Sequence, residues 1–298
     1  MILSGGIAHQ GTVCLTFNFD TMAVWLGSYN VGTPGALSRG EFGGRVGIYR
    51  VLDVLERYHI PATFFIPGYT ADSFPDAVKE VVARGHEIGH HGYLHECPTD
   101  FIGDLDGERM MYEKGLAALE RVAGVRPVGY RAPGWDLTEH SIQLLQDLGF
   151  RYDSSLAGDD YHCYFARIGD VAWRDGGFGF GQPSTVVEIP VGWSWDDFPQ
   201  SEIATTPVGN ASYLASPSKI FEVWAGDIDY MVERVPEGVF DLTMHPEVIG
   251  RGNRIKLLEQ IIDHCMQYGT LRFARMSEVA EDYRLQQADL APRPVSGS

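Results

Sequence analysis

Gly85-His86-Glu87-Ile88-Gly89-His90-His91-Gly92-Tyr93-Leu94-His95-Glu96 decides how this chain is read, because four of its ten histidines fall there. Neutral imidazole suits zinc and its first-row neighbours as a ligand. His91 and His95 are four apart, so they converge if the segment is helical or tightly turned. His86 and His90 have the same spacing, so spacing alone does not choose the pair. Gly85, Gly89 and Gly92 argue against a regular helix and for a backbone bent around something. The bland alternative is a set of hydrogen-bonded histidines in a polar turn. Glu87-Ile88-Gly89 is short enough to be a strand leading into the pair.

Outward from this stretch the chain repeats one step, a short apolar run and then a helical period. Residues 12–19 are rich in β-branched and aromatic residues and read as a buried strand ending at Asp20. Residues 61–67, 128–130, 152–154, 186–190, 239–244 and 270–273 read as further strands. Helical spacing covers 46–58, 72–84, 104–122, 139–148, 219–234, 255–268 and 276–288. Residues 27–44 read as a long glycine-rich loop, and 157–184 as irregular chain or an inserted hairpin. Alternation of this kind means an α/β barrel or a wound sheet. Polar residues recur where strands end: Asp20, His91, His95, Arg131, Trp135, Asp196, Asp197 and His245. A barrel gathers such ends on one rim, which strengthens the metal reading. No glycine-rich phosphate fingerprint follows a strand.

Composition narrows the classes. Of 298 residues 44% are hydrophobic, enough for a sizeable core. The formal charge of −17, with no long basic run, disfavours nucleic acid and anionic membrane surfaces as partners. Cys14, Cys97, Cys163 and Cys265 are scattered and form no CxxC, so a disulfide scaffold is not expected. No positively charged and apolar leader precedes Gly11, and no apolar run reaches membrane-spanning length, so a cytoplasmic setting is expected.

With these residues in order, the chain resembles the polysaccharide deacetylase (NodB homology) family from 12 to about 283. Thr16-Phe17-Asn18-Phe19-Asp20 is similar to its first motif, whose final aspartate binds metal. His91-Gly92-Tyr93-Leu94-His95 is similar to the paired-histidine motif. Arg131-Ala132-Pro133-Gly134-Trp135 corresponds to the third, and Leu242-Thr243-Met244-His245 to the last, whose histidine acts on the leaving group. The resemblance implies an irregular (β/α) barrel, usually of seven strands, as a single domain over 12–290; the residues themselves read as a loose arm over 1–11 and, with Pro and Gly, a flexible tail over 291–298. Trp25-Leu26-Gly27, the paired-histidine motif and residues 189–199 are closest to a cytoplasmic branch of peptidoglycan-deacetylase-like proteins, metal-independent allantoinases and cyclic-imide hydrolases. That branch implies a homo-oligomer, dimer or tetramer.

The resemblance implies one divalent cation, zinc by preference, held by Asp20, His91 and His95, with His86 and His90 outside the set. It makes His245 the proton donor to a departing nitrogen. Arg131 is expected to hold a carboxylate through its rigid fork, or to form a structural salt bridge. Trp135, Trp193 and Trp195 are read as substrate walls, each with core burial as the plain alternative. One departure matters. Asn18 stands where glycan deacetylases of the family place a general base, and an amide can orient a group but not take a proton from water. Glu87, Asp136, Asp196 and Asp197 are the nearby replacements, with Asp197 counted among the catalytic residues. The function expected is hydrolysis of a non-peptide C–N bond in a small amide, cyclic imide or ureide, or N-acetyl amino sugar. The competing reading, which rests on Asn18, is a barrel that has lost catalysis and keeps a binding or structural role.

Overall fold

The computed structural model describes residues 11–206, 209–212 and 214–290. Most of the expected N-terminal arm (1–10) and the expected tail (291–298) lie outside the described residues; Gly11 opens the first strand. The strands in chain order are β1 Gly11–Asn18, β2 Thr63–Ile66, β3 Glu87–His90, β4 Gly129–Tyr130, β5 Tyr152–Asp153, β6 Tyr164–Ile168 and β7 Val171–Trp173. They continue as β8 Gly177–Gly179, β9 Gln182–Glu188, β10 Ile203–Thr206, β11 Gly209–Ser212, β12 Gly238–Met244 and β13 Leu271–Phe273.

The principal sheet has nine strands in the order β12-β1-β2-β3-β4-β5-β9-β6, with β13 added beside β1. From β12 through β9 every pairing is parallel, and only β6 runs antiparallel, against β9. Helices fill the crossovers, as parallel pairing requires. All eight residues of β1 are buried, as expected of a central parallel strand covered on both faces.

The sequence pointed to a barrel of seven strands. The structure has an α/β fold whose sheet curls but stays open as a hydrogen-bonded ladder. Between β9 and β12 the chain turns away through Gly192 and a 3₁₀ turn, Trp193–Trp195. Only an isolated parallel bridge, Asp196 to Thr243, then spans the gap. That bridge still brings the end of the β9 arm beside the end of β12, so the C-termini of the parallel strands face one rim.

The glycine-rich stretch after Gly27 is also not a plain loop. It contains a helix, Pro34–Phe42, running into a π-helical turn, Gly43–Gly47, and then the helix Ile48–Tyr58. Glycine lowers helix propensity, so the pattern read as coil. Its purpose here is close approach. A Cβ on Gly40 would lie 2.2 Å from the backbone carbon of Thr21, and one on Gly47 would lie 2.0 Å from the Pro246 oxygen. The helix thereby packs directly against the backbone beside Asp20 and His245. In the other long segment the inserted hairpin is present as β7 and β8.

Candidate active site

Asp20 follows β1 and is fully buried; His91 directly follows β3, and His95 lies four residues on. Asp20 Oδ1 is 3.5 Å from His91 Nε2, and Asp20 Oδ2 is 3.3 Å from His95 Nε2. Both Asp20 oxygens and His91 Nε2 are buried with no hydrogen-bond partner. Unpartnered buried polar atoms are costly, so three aimed at one point call for a ligand. The remaining ring nitrogens show which lone pairs are free. His91 Nδ1 is 2.7 Å from the Arg131 carbonyl, which can only accept, so Nδ1 carries the proton and Nε2 presents its lone pair. Ser28 Oγ donates to the His95 carbonyl at 2.9 Å and therefore accepts from His95 Nδ1 at 2.6 Å. This is the arrangement that orients metal-ligating histidines.

The electrostatics agree. Burial, against the pull of Asp20, holds His91 down at about 3, in the neutral form a metal needs. Burial pushes Asp20 upward, but His95, His91 and His245 outweigh it and hold the carboxyl below its ordinary range. The donor set, two imidazoles and one carboxylate, is one that zinc-like cations accept with positions left open. Three non-glycine residues here adopt positive φ: Thr21 at 55°, His95 at 63° and Trp135 at 53°. Such strain persists where the surroundings fix it, commonly at functional sites.

His90 and His86 stand apart. His90 ends β3 with its ring in the core, Nε2 3.0 Å from the Tyr112 carbonyl and the ring against Tyr130 and Phe150. His86 precedes the strand, at the opposite end of the sheet, and packs on Phe64.

His245 directly follows β12. Its Nε2 is 3.6 Å from Asp20 Oδ2, and its Nδ1 is 2.8 Å from Asp197 Oδ1 and 3.6 Å from Asp196 Oδ1. Burial would depress His245, but Asp196, Asp197 and Asp20 raise it to about 10. Burial pushes Asp196 up to about 7, with Asp197 adding to the rise and His245 opposing it. Asp197 is raised too, by burial, against its hydrogen bond to His245.

The remaining sequence candidates separate. A recess of about 330 Å³ opens onto the metal residues, walled by Tyr29, Trp135, Trp193 and Phe198 and reached by Asn18, Asp196 and His245. Trp135 and Trp193 meet there with ring centroids 4.5 Å apart. Trp195 turns into the core instead, where its Nε1 donates to Asp227 Oδ2 at 2.7 Å. Asp197 is buried behind His245 and does not line the recess, whereas Asp196 does. Asp136 is exposed, and Glu87 lies at the start of β3, bonded to Thr63 and Tyr152. Ser28, Tyr29, Cys97, Phe198 and Glu202 also line the recess, and no sequence signal marked them.

Arg131 is fully buried and does not line the recess. Its guanidinium pairs with Asp241 and donates to Thr16 Oγ1 at 2.8 Å, Asn18 Oδ1 at 3.2 Å and Ser154 at 2.9 and 3.1 Å. Of its two expected roles, substrate carboxylate or structural salt bridge, this geometry is the second. It also fixes Asn18, leaving the amide N–H₂ as what Asn18 can offer a ligand. Asp241→Ala leaves that guanidinium buried and uncompensated, and should cost about 3–5 kcal/mol of stability. A urea midpoint matching the parent's would overturn this account of the pair.

Comparison with known proteins now bears on the site. A polysaccharide deacetylase family profile matches residues 43–152. A peptidoglycan deacetylase of Helicobacter pylori is 33% identical over 290 residues, covering 93% of this chain and 97% of that protein. The chain belongs to the polysaccharide deacetylase family. A peptidoglycan deacetylase-like protein of Gibberella zeae is 30% identical over 296 residues, covering 92% of this chain and 87% of the relative. Among solved structures, a candidate polysaccharide deacetylase from Mycobacterium smegmatis superposes with a TM-score of 0.83 at 34% identity, covering 99% of this chain and 97% of the other. The structure of an allantoinase shares the fold, with a TM-score of 0.74 at 20% identity over 93% and 91% of the two chains. Family membership and the Asp20–His91–His95 cluster together make this a metal-dependent hydrolase of carbon–nitrogen bonds other than peptide bonds. Among the described residues no helix is long and apolar enough to cross a membrane.

Proposed function

We propose that the enzyme hydrolyses a small amide, cyclic imide or ureide, or a short N-acetyl amino-sugar derivative. The observation that carries this reading is the recess itself. At about 330 Å³ it lies at the small end of ligand sites, and its walls are flat aromatic faces suited to a single ring. A zinc ion, or a close relative, supplies Lewis acidity toward a carbonyl and toward water when bound. Asp20, His91 and His95 hold it, their free lone pairs fixed by the hydrogen bonds that Arg131 and Ser28 make behind the rings.

The chain's own groups divide the proton work. Asp196 faces the recess and accepts the proton that Asn18 cannot. His245 carries a proton on Nε2 toward the recess and gives it to the departing nitrogen. Asp197 is a positioning residue that holds Nδ1–H and so fixes the ring. Asn18 offers its amide as a donor, and Trp135 and Trp193 clasp the ring of the substrate. Residues 12–290 work as one domain. A cytoplasmic setting is supported by four cysteines of which none is paired.

The test is kcat/KM of the zinc-loaded enzyme on hydantoin, succinimide and allantoin beside N-acetylglucosamine oligomers of increasing length. Turnover should be confined to single-ring compounds. Efficiency that climbs with oligomer length would refute the small-substrate reading, since remote sugars would then contribute to the transition state.

We also propose a closed homo-oligomer, dimer or tetramer. It is supported by the hairpin β7–β8, which exposes Val171, Trp173 and Phe178 beside the exposed Phe180. Light scattering should return two or four times the 33.0 kDa of one chain; a monomer mass at micromolar concentration excludes it.

A further inference from the structure

Tyr29 lines the recess together with Asp20, Asp196 and His245, and the proton work described above makes no use of it. The fold fixes where its ring stands. The Tyr29 N–H donates to the Val24 carbonyl at 3.2 Å, and the Val31 N–H to the Trp25 carbonyl at 2.7 Å. Between them Asn30 adopts φ 50°, which closes the turn. The ring lies 5.3 Å from Trp25 and 6.4 Å from Phe198, nearly parallel to the latter at 16°. Phe198 in turn meets the His245 ring at 5.1 Å. A run of packed rings therefore leads from the core at Trp25, through Tyr29, to the proton donor.

Most polar side chains of the recess are already engaged by the protein. Asn18 Oδ1 accepts from Arg131 at 3.2 Å, and Ser28 Oγ serves His95. Asp196 Oδ1 takes the Phe198 N–H at 2.8 Å, and Glu202 pairs with Arg39. The Tyr29 hydroxyl makes no hydrogen bond to any described residue. Burial, then the carboxylates of Asp20 and Asp196, push its phenol above the ordinary value. The hydroxyl stays protonated, and it stands close enough to the reacting centre to feel both charges. A ligand that fills about 330 Å³ displaces the water serving this hydroxyl. Without a matching acceptor, that ligand leaves the hydroxyl unpaired at a cost, whereas one with an acceptor gains the bond.

We propose that the Tyr29 hydroxyl is a specificity-determining donor, which takes a second carbonyl oxygen of the substrate ring while the first faces Asp20, His91 and His95. The inference rests on the small-substrate reading above and narrows it to rings with two carbonyl groups. Two stacked neighbours hold the phenol in place before the ligand arrives, so little rotamer freedom is lost on binding.

The test needs no turnover. Succinimide and 2-pyrrolidinone share a five-membered ring and its N–H, and differ by one carbonyl. Their binding to the zinc-loaded parent and to Tyr29→Phe is followed by recess tryptophan fluorescence in a stopped flow, ahead of any hydrolysis. Tyr29→Phe removes one oxygen and keeps both ring stacks. The parent should prefer succinimide by about tenfold, the scale of one hydrogen bond. In Tyr29→Phe the preference should fall to about twofold or less, with 2-pyrrolidinone affinity and zinc content unchanged. Unchanged 2-pyrrolidinone binding also shows that the variant is folded. A variant that keeps the parent's preference overturns the proposal, as does equal loss of both ligands, or a parent that binds the two alike or binds neither. If the hydrolase reading alone is wrong, no imide is turned over by the parent while the preference still collapses in the variant. If Tyr29 alone is misassigned, imides are turned over and the preference survives the substitution.

Discussion

Asp20→Ala should reduce kcat/KM by about 10³-fold or more, the scale of losing several kcal/mol of Lewis-acid stabilisation. Both Asp20 oxygens are buried without a hydrogen-bond partner, and in the metal-free protein the neighbouring His95, His91 and His245 are what hold the carboxylate there, so the substitution removes those contacts together with a metal ligand. Two melting curves separate the effects. The parent should gain stability with added zinc, about 2.7 kcal/mol at a hundred times Kd. Asp20→Ala should show no such gain, whatever its metal-free midpoint. A variant that still responds to zinc like the parent would remove Asp20 from the ligand set. His90→Ala is the control: its ring is bonded in the core, so it should cost stability while metal content stays at the parent's level.

Asp196→Asn should lower kcat by about 10²–10⁴-fold, the range for a positioned general base, with metal content and KM little changed. Access to the recess separates the two carboxylates. Asp196 and Asp197 are both buried and both near His245, but only Asp196 lines the recess. Asp197 spends its oxygens on His245, taking Nδ1–H at 2.8 Å and the backbone N–H at 3.2 Å. Asp197→Asn should therefore act through the imidazole and shift the pH profile of kcat, since one of the carboxylates that raise His245 is gone. Asn18→Asp provides a gain-of-function arm. If a base beside Asp20 is what the site lacks, that substitution should partly rescue Asp196→Asn. A fully active Asp196→Asn would show that the proton goes elsewhere.

Much of this is legible in the sequence. Buried strands announce themselves as β-branched and aromatic runs, and a parallel sheet places their C-terminal residues on one rim. Order and pattern therefore put Asp20, His91, His95 and His245 among the polar residues at strand ends and pointed to the α/β class, while the family resemblance supplied the ligand set and the metal chemistry. Local sequence could not decide between neighbours. His90 and His91 differ by one position, yet one ring enters the core and the other faces the rim. That choice follows the backbone direction at the end of β3 and the carbonyls of Tyr112 and Arg131, which lie 22 and 40 residues away. The same holds for Trp193 and Trp195, and for Asp196 and Asp197, whose roles are set by Asp227 and His245 across the fold. The glycines between 34 and 44 looked like loop because propensity is a local quantity, whereas the requirement met at Gly40 is a close backbone contact with Thr21. For Arg131 the sequence left two roles open, a carboxylate of the substrate or a structural salt bridge, because local sequence does not show which carboxylate its fork meets. Its partner Asp241 is 110 residues on, and only the parallel pairing of β12 with β1 brings that carboxylate under the rim.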